Sequence, residues 1–242
     1  MVMPLGDDNT DRHTMPVVTY VLIAVNVLVW LLELGLGESF INGFSTVPAE
    51  ITGGVDLIGT QTVDVAGKGV PIELYKGPTP IYLTLLSSMF MHASWMHIFG
   101  NMLYLWIFGD NIENRIGSAR FLGFYLVCGV VASLAHIMMA TGSVIPSLGA
   151  SGAIAGVLGA YLVLFPKRKV RVMVARQIMQ WPAFMVLGLW ILLQFFGQFT
   201  AVPGAGVAYM AHIGGFVAGA VLIFVFGGRA ARPREVTPRG MV

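Results

Sequence analysis

The chain has 242 residues, of which 56% are hydrophobic and only 11% are charged, and its formal net charge at pH 7 is +2. This composition is too apolar for an ordinary soluble domain, and so small a net charge gives no indication of nucleic-acid binding. It predicts a polytopic membrane protein, in which the placement of charges matters more than their sum. The single cysteine, Cys128, cannot form an internal disulfide.

Six segments are apolar and long enough to cross a hydrocarbon layer as helices, which takes ~20 residues. In chain order they are residues 16–38, 82–108, 118–140, 149–166, 180–200 and 206–227. The first follows a polar segment, residues 1–15, and is too long for a cleaved signal sequence. We therefore predict an all-α protein with six transmembrane helices, a membrane domain over 16–227 and a polar tail over 228–242.

The charges in the connections predict the orientation of these segments. The long connection 39–81 is mainly acidic, whereas the connection 167–176 carries Lys167, Arg168, Lys169, Arg171 and Arg176. Because basic loops stay in the cytoplasm, we expect this connection and both termini to be cytoplasmic. The tail, with Arg229, Arg232, Arg234 and Arg239, falls on the same side. The 39–81 connection then lies outside, where its glycines and a partial alternation through 60–65 indicate turns and a short hairpin.

Polar residues inside a membrane are costly, so they mark candidate functional sites. His97 and Asn101 stand four residues apart in the second segment and share one helical face. Ser151 lies near the start of the fourth segment, and His212 is the one histidine of the sixth. Ser151 lies 14 residues before Phe165 and His212 lies 14 before Phe226, which is roughly 21 Å from the cytoplasmic end in each case. We therefore expect Ser151 and His212 at the same depth, with the other two in an overlapping layer.

Glycines beside the serine and the histidine favour close approach of the fourth and sixth segments. Gly152 and Gly156 are four residues apart in one segment, and Gly215 and Gly219 are four apart in the other. Small residues at this spacing let helix backbones come together in a membrane.

The chemistry of these residues fits acyl transfer. A serine hydroxyl is a weak nucleophile until a base takes its proton, and a neutral histidine suits that task near pH 7. The fourth and sixth segments contain no Asp or Glu, so Ser151 and His212 would form a dyad rather than a triad. His97, Asn101 and the backbone N–H of Ser151 are candidate donors to the oxyanion. Since hydrolysis needs water, the site must open to the outer side.

Three motifs around these residues resemble those of the rhomboid family of intramembrane serine proteases. They are Gly149-Ala150-Ser151-Gly152 for GxSG, His97-Ile98-Phe99-Gly100-Asn101 for HxxxN and Ala211-His212-Ile213-Gly214-Gly215 for AHxxG. The stretch 109–117 resembles the family's GxxxExxxG segment, and 44–50 is similar to a stretch of prokaryotic members. The resemblance, over 82–227, implies that Ser151 is the nucleophile and His212 the general base and then acid. It also implies that His97 and Asn101 stabilise the oxyanion.

The function implied by the resemblance is that of a serine endopeptidase of the cell membrane. It would cleave the transmembrane segments of other proteins near their outer ends, in contact with membrane lipids. It would need no cofactor or metal and bind no nucleic acid, and its oligomeric state is left open.

The sequence departs from the family's pattern at two places. Leu83 and Thr84 stand where many members have a Trp-Arg pair in the first outer loop. Ala155 stands where some members have a tyrosine that stacks on the catalytic imidazole. The second departure leaves the orientation of His212 without an explanation.

Structural interpretations compete with the functional ones at several positions. Serines and asparagines between membrane helices are often ordinary packing or hydrogen-bonding residues. His92 is predicted to face away from His97 and Asn101 on the helix of the second segment, which favours a structural role. His136 is predicted at the membrane interface. Structural roles are also predicted for Glu113 with Arg115, and for Trp190 and Gln194 in the fifth segment, although that segment could instead flank the substrate entrance.

Two other classes of protein remain open. The first is a metal-dependent membrane enzyme or transporter that uses His92, His97, His136 and His212, although the chain lacks an HExxH-type spacing. The second is a non-catalytic relative that binds transmembrane clients. Loss of the serine or the histidine would indicate such a relative, and both residues are present.

Overall fold

The computed structural model describes residues 3–65, 67–200 and 207–228. The helices, in chain order, are α1 (Val17–Leu36), α2 (Glu38–Phe44), α3 (Pro48–Gly53), α4 (Thr84–Ser87), α5 (Trp95–Tyr104), α6 (Asp110–Ile116), α7 (Ser118–Met139), α8 (Ser151–Leu164), α9 (Ala183–Thr200) and α10 (Tyr209–Val225). The strands are β1 (Met3–Asp7), β2 (Gly59–Val65), β3 (Lys68–Leu74), β4 (Lys169–Val174) and β5 (Gln177–Pro182). The predicted tail from Arg229 onward and the connection 201–205 lie outside the described residues.

Three of the described helices, α1, α7 and α9, are long and apolar enough by themselves to cross a membrane. The helices α8 and α10 are apolar but shorter. Five of the six predicted segments coincide with one of these helices to within three residues at each end. The protein is therefore a mostly helical membrane protein.

The second predicted segment, 82–108, was wrong in its first half. Residues 81–90 form short helical turns that include α4, and the chain is extended at Met91. The long helix begins only at Trp95, where the Ser94 hydroxyl accepts a hydrogen bond from the backbone N–H of His97 at 3.2 Å. This side-chain cap separates the two halves of the predicted segment. The prediction failed there because apolar composition indicates that a segment is buried and does not show that its helix is continuous. The helix then continues past 108, through a π-helical turn at Leu105–Gly109 and into α6.

The prediction of an all-α fold is confirmed in part: the chain is mostly helical, but β1, β4 and β5 form an antiparallel sheet in the order β1-β4-β5. In β4 the side chains of Val170 and Val172 are fully buried, while Lys169 and Arg171 are exposed. This alternation is typical of a strand with one buried face. Strand β4 lies in residues 167–176, which we interpreted as a basic connection. The charged residues there concealed the alternation of buried and exposed side chains. The hairpin expected near 60–65 is confirmed by the pairing of β2 with β3.

The helices define two ends of the molecule. The sheet end carries β1, β4 and β5, and the loop end carries the connections 37–94 and 140–150. The helices α8 and α10 both run from the loop end to the sheet end, so they pack in parallel.

The contact between α8 and α10 is a backbone contact, which we call the glycine seam; it comprises Gly152, Gly156 and Gly159 of α8 with Gly215 and Gly219 of α10. A Cβ atom added at Gly219 would lie 1.9 Å from the carbonyl oxygen of Gly156, and one at Gly215 would lie 2.1 Å from that of Gly152. Only glycine leaves room for backbones at these separations. The predicted close approach of these two segments is confirmed.

A buried carboxylate joins two helices at the sheet end. Glu113 in α6 accepts hydrogen bonds from the backbone N–H groups of Val18 and Thr19 at 2.9 and 2.7 Å. These are among the first N–H groups of α1, which have no partner within their own helix. The structural role predicted for Glu113 is therefore confirmed.

A second carboxylate, Asp7 of β1, ties the N-terminal segment to α8. The Tyr161 hydroxyl donates to Asp7 Oδ2 at 2.5 Å, and Asn111 Nδ2 donates to the same oxygen at 2.8 Å. Burial, the largest influence, raises the pKa of Asp7 to about 7, and the nearby Asp110 carboxylate acts in the same direction. The Tyr161 hydrogen bond and the Arg168 charge oppose that shift.

Candidate active site

Ser151 is the first residue of α8, and the chain before it makes a sharp entry into the helix. Gly149 has φ +132°, a backbone conformation that residues with a Cβ atom rarely adopt. The first hydrogen bond of the helix runs from the N–H of Ile154 to the carbonyl of Ala150 at 3.0 Å. The N–H of Ser151 therefore has no partner within the helix and is free to donate beside the hydroxyl.

The entry to α8 is held by the other loop-end connection. The N–H of Gly149 donates to the carbonyl of Ser88 at 2.8 Å. Thr46 and Ser147 exchange two backbone hydrogen bonds of 2.9 and 2.8 Å, and the Thr46 hydroxyl is hydrogen-bonded to that of Ser88 at 2.8 Å. This scaffold orders the backbone around Ser151 before any substrate is present.

His212 lies in the first turn of α10 and meets Ser151 across the glycine seam. Its Nε2 atom is 2.8 Å from the Oγ atom of Ser151, a hydrogen-bond distance. The two residues that the sequence placed at one depth are thus in direct contact, and both side chains are half-buried. This geometry would allow the hydroxyl proton to pass to the imidazole.

His97 lies in the first turn of α5, and its ring stands beside Gly149. Its Nδ1 atom accepts a hydrogen bond from the backbone N–H of Ala93 at 3.3 Å. A neutral imidazole that accepts at Nδ1 carries its proton on Nε2. A Cβ atom built on Gly149 would be 2.9 Å from that Nε2 and 3.5 Å from Ser151 Oγ. His97 therefore presents a donor next to the serine hydroxyl.

Asn101 lies one turn after His97 in α5, as the spacing predicted, and is only 8% exposed. Its Nδ2 donor has no hydrogen-bond partner among the described residues. The structure does not join Asn101 to Ser151 or His212 by a hydrogen bond within that part of the chain. A buried donor without a partner is unfavourable, so this amide retains an unused hydrogen-bonding capacity one turn from His97.

The position of His92 differs from the prediction. It precedes α5 instead of lying within it, so its ring packs against the ring of His97, with centroids 5.1 Å apart and an interplanar angle of 69°. Its backbone N–H donates to the buried carboxylate of Glu33 at 3.0 and 3.2 Å. The prediction that His92 faces away from His97 was wrong, because it assumed a helix through residues 91–94. The contribution of Glu33 was not predicted.

The sequence reasoning missed the part that α9 has in the site. Gln194 Oε1 lies 2.8 Å from Nδ1 of His212, and the ring of Trp190 lies 5.8 Å from that imidazole at 37°. One signal was available: Gln194 is a strongly polar residue 11 residues, or roughly 16 Å, into α9. That count puts it close to the depth of Ser151, but depth alone does not say which neighbour a side chain faces.

A small cavity of about 20 Å³ adjoins the serine. Its polar lining includes Ser88, Ser133 and Ser147 besides Ser151, and glycine, alanine, methionine and leucine residues form the rest. A volume of this size with several polar groups can hold about one water molecule.

The alternative metal site finds no support in the geometry. Within residues 3–65, 67–200 and 207–228, no three His, Cys, Asp or Glu side chains come together as a metal-binding group. His92 and His97 are in contact, but the third and fourth histidines of that hypothesis do not complete a ligand set with them.

Comparison with known proteins identifies the type of domain. Residues 80–229 match the rhomboid domain family. The chain is 32% identical over 142 residues to rhomboid protein 1, mitochondrial, of Saccharomyces cerevisiae, which covers 57% of this chain and 40% of the yeast protein. It is 34% identical over 152 residues to rhomboid protease GluP of Bacillus subtilis, 62% of this chain and 25% of that protein. It is 39% identical over 90 residues to the human presenilin-associated rhomboid-like protein, mitochondrial, 36% of this chain and 24% of the human one.

These matches span between about a quarter and two fifths of the length of each relative. One of the three relatives is named a protease, and two are named mitochondrial. The family match covers more than half of this chain and includes Ser151, His212, His97 and Asn101. The chain belongs to the rhomboid family.

Proposed function

We propose that this protein is an intramembrane serine endopeptidase that hydrolyses peptide bonds in or near the transmembrane segments of other membrane proteins. The observation that carries the proposal is the 2.8 Å hydrogen bond between Ser151 Oγ and His212 Nε2 at the start of α8. The protease name of the Bacillus subtilis relative supports the same reaction class.

In the proposed mechanism Ser151 is the nucleophile and His212 is the base. Oγ attacks the scissile carbonyl carbon while its proton passes to Nε2 of His212. The oxygen that becomes negative accepts hydrogen bonds from the backbone N–H of Ser151, from His97 and from Asn101. His212 then gives its proton to the leaving amine, so that an ester to Ser151 remains.

The second half of the reaction uses water. A water molecule loses a proton to His212 and attacks the ester carbonyl, and His212 returns the proton to Oγ of Ser151. The small polar cavity beside Ser151 supports a water supply at this point. No step needs a metal or a cofactor.

The proposed membrane arrangement has six spans: α1, the helix from α5 to α6, α7, α8, α9 and α10. We propose that both termini and the basic hairpin of β4 and β5 are cytoplasmic, that the site opens to the outer side of a cell membrane, and that the domain extends over 16–227. The basic residues at the sheet end and the acidic character of the 39–81 connection support this orientation.

The main test is cleavage of a model transmembrane substrate after reconstitution in liposomes. Ser151→Ala and His212→Ala should each lower the rate by at least about 10³-fold, whereas Ser39→Ala and His13→Ala, which remove the same groups at exposed positions outside the site, should not. A serine-directed phosphonate should label the wild type and not Ser151→Ala. Cleavage by Ser151→Ala at the wild-type rate would exclude the dyad, and loss of cleavage with a chelator would favour the metal alternative.

The orientation can be tested with introduced cysteines, because the native Cys128 is fully buried. Gln177→Cys at the sheet end and Lys68→Cys at the loop end replace exposed residues. In intact cells a membrane-impermeant maleimide should label Lys68→Cys and should reach Gln177→Cys only after lysis. The reverse pattern would overturn the proposed orientation.

A further inference from the structure

The imidazole of His212 has hydrogen-bond partners at both ring nitrogens. Nε2 faces Ser151 Oγ, and Nδ1 faces Oε1 of Gln194, each at 2.8 Å. For Nε2 to take the serine proton it must carry no proton of its own, so the proton of the neutral ring must be on Nδ1. An acceptor at Nδ1 selects this tautomer, as the carboxylate does in a Ser-His-Asp triad.

The amide of Gln194 is itself held in the orientation that offers its oxygen. Its Nε2 group donates to the backbone carbonyl of Trp190, one turn earlier in α9, at 3.4 Å. With the NH₂ group turned toward its own helix, Oε1 is the atom left to meet the histidine. The selection of the tautomer therefore rests on two successive hydrogen bonds.

The face of the His212 imidazole packs against an aromatic ring of α9, the helix that also carries Gln194. Trp190 lies 5.8 Å from His212 and stacks at 6.2 Å and 26° on Phe216, one turn after His212 in α10. Ala155 of α8, where some relatives stack a tyrosine on the histidine, is fully buried and has no ring to offer. The support missing from α8 is thus supplied by α9.

A neutral hydrogen-bond acceptor suits the position beside Nδ1 of His212. A carboxylate at membrane depth would have to be buried without a balancing cation, which is costly. Glutamine supplies the acceptor without a charge.

We propose that Gln194 is a positioning residue, which holds His212 in the tautomer and rotamer needed to accept the serine proton, with Trp190 fixing the plane of the ring. This inference rests on the proposed function of Ser151 and His212. It makes α9 a contributor to the reaction centre, although none of its side chains contacts the reacting atoms.

The test compares Gln194→Met, which keeps the length of the side chain and removes the acceptor, with Gln194→Glu, which restores an acceptor. Gln198→Met is the matched control, since Gln198 lies one turn later in α9 and its side chain makes no hydrogen bond to the described part of the chain. For Gln194→Met we expect kcat to fall about 10- to 100-fold, the cost typical of removing the partner that orients a metal-bound histidine, with KM nearly unchanged. Gln194→Glu should recover part of kcat, and the control should match the wild type.

A second measurement reads the tautomer directly, first in the wild type and then in Gln194→Met. In protein labelled with ¹⁵N-histidine, the signals lost in His212→Ala identify His212, and their shifts should show the proton on Nδ1 in the wild type. In Gln194→Met the proton should redistribute toward Nε2, with the thermal unfolding midpoint unchanged.

The two proposals fail in different ways. Absence of both cleavage and phosphonate labelling in the folded wild type would contradict the protease function. Wild-type kcat in Gln194→Met, or a proton on Nε2 of His212 in the active wild type, would overturn the positioning role alone.

Discussion

His212 of α10 lies between α8 and α9, and these two helices pack against α10 in opposite ways. α10 meets α8 backbone to backbone along the glycine seam, where no side chain separates the helices. α9 meets α10 through side chains: Trp190 and Gln194 against His212, and the Tyr209 ring against Gly197, where an added Cβ would lie 2.4 Å from that ring.

The outer surface of α9 is also different from that of the seam helices. Its fully buried residues, Ala183, Val186 and Leu187, all lie in its first half. In its second half the rings of Phe195, Phe196 and Phe199 are 50–72% exposed. The distance between Ser151 and His212 is therefore set by a rigid backbone contact, while the orientation of the histidine depends on a helix with few buried residues at that level.

The largest effect is expected from adding one methyl group in the seam. The Cβ of Gly219→Ala would lie 1.9 Å from a backbone oxygen and 2.4 Å from a backbone carbon of Gly156, so the two helices must move apart. We expect a loss of about 3 kcal/mol or more in the free energy of unfolding, or failure to fold, measured by thermal unfolding in detergent.

The control is Gly188→Ala in α9, where an added Cβ meets no described atom within 4 Å. It should leave stability unchanged or raise it by about 0.5–1 kcal/mol, because alanine favours a helix more than glycine does. Equal effects of the two substitutions would contradict the distinction between seam and α9.

The next largest effect is expected at Gly149, two residues before Ser151. Gly149→Ala places a Cβ at φ +132° and 2.9 Å from the His97 ring. It should displace His97, the proposed oxyanion donor, and lower kcat by about 10²-fold, with a smaller change in stability than Gly219→Ala. Gly100→Ala in α5, which has open space around its Cβ position, is the control. Equal kcat values for these two variants would count against the oxyanion geometry.

A smaller, pH-dependent effect is expected at the sheet end, where α8 is tied to β1. Because burial raises the pKa of Asp7 from 3.8 to about 7, the folded protein binds this proton more tightly than the unfolded chain. Its contribution to stability is complete below about pH 4 and is lost as the pH rises through 7, with a slope of at most about 1.4 kcal/mol per pH unit.

Asp7→Asn keeps an acceptor for the Tyr161 hydroxyl and cannot lose a proton. Its stability should therefore vary less than that of the wild type between pH 5 and 8. Unfolding midpoints across that range measure the difference, with Asp64→Asn in the exposed hairpin as a control. Parallel curves for Asp7→Asn and the wild type would show that another group dominates the pH dependence.

The smallest effect is expected on the exposed face of α9. Phe196 is 62% exposed, so Phe196→Ala should change the free energy of unfolding by no more than about 0.5 kcal/mol. Phe121→Ala, at a position of zero exposure in α7, should cost about 3–5 kcal/mol. A large loss for Phe196→Ala would mean that α9 is packed as tightly as the seam.

The sequence alone was sufficient to pair Ser151 with His212. Depth along a helix is proportional to the number of residues, so counting from the ends put both side chains in one layer. The glycines at four-residue spacing predicted the close contact of α8 and α10, because small residues are what such a contact requires. The motifs around Ser151, His97 and His212 pointed to the family that the comparison then showed.

Other features were decided only by tertiary structure. The β1-β4-β5 sheet depends on pairing between strands more than 150 residues apart, which no local pattern reports. The start of α5 at Trp95, by contrast, has a local signal in the Ser94 cap, which the apolar composition around it obscured. Counting could place Gln194 near the right depth, but the rotation of α9 about its axis decides whether that amide faces lipid or His212. This rotation is set by packing between helices, and so the explanation for the orientation of His212 came from a helix outside the three motifs.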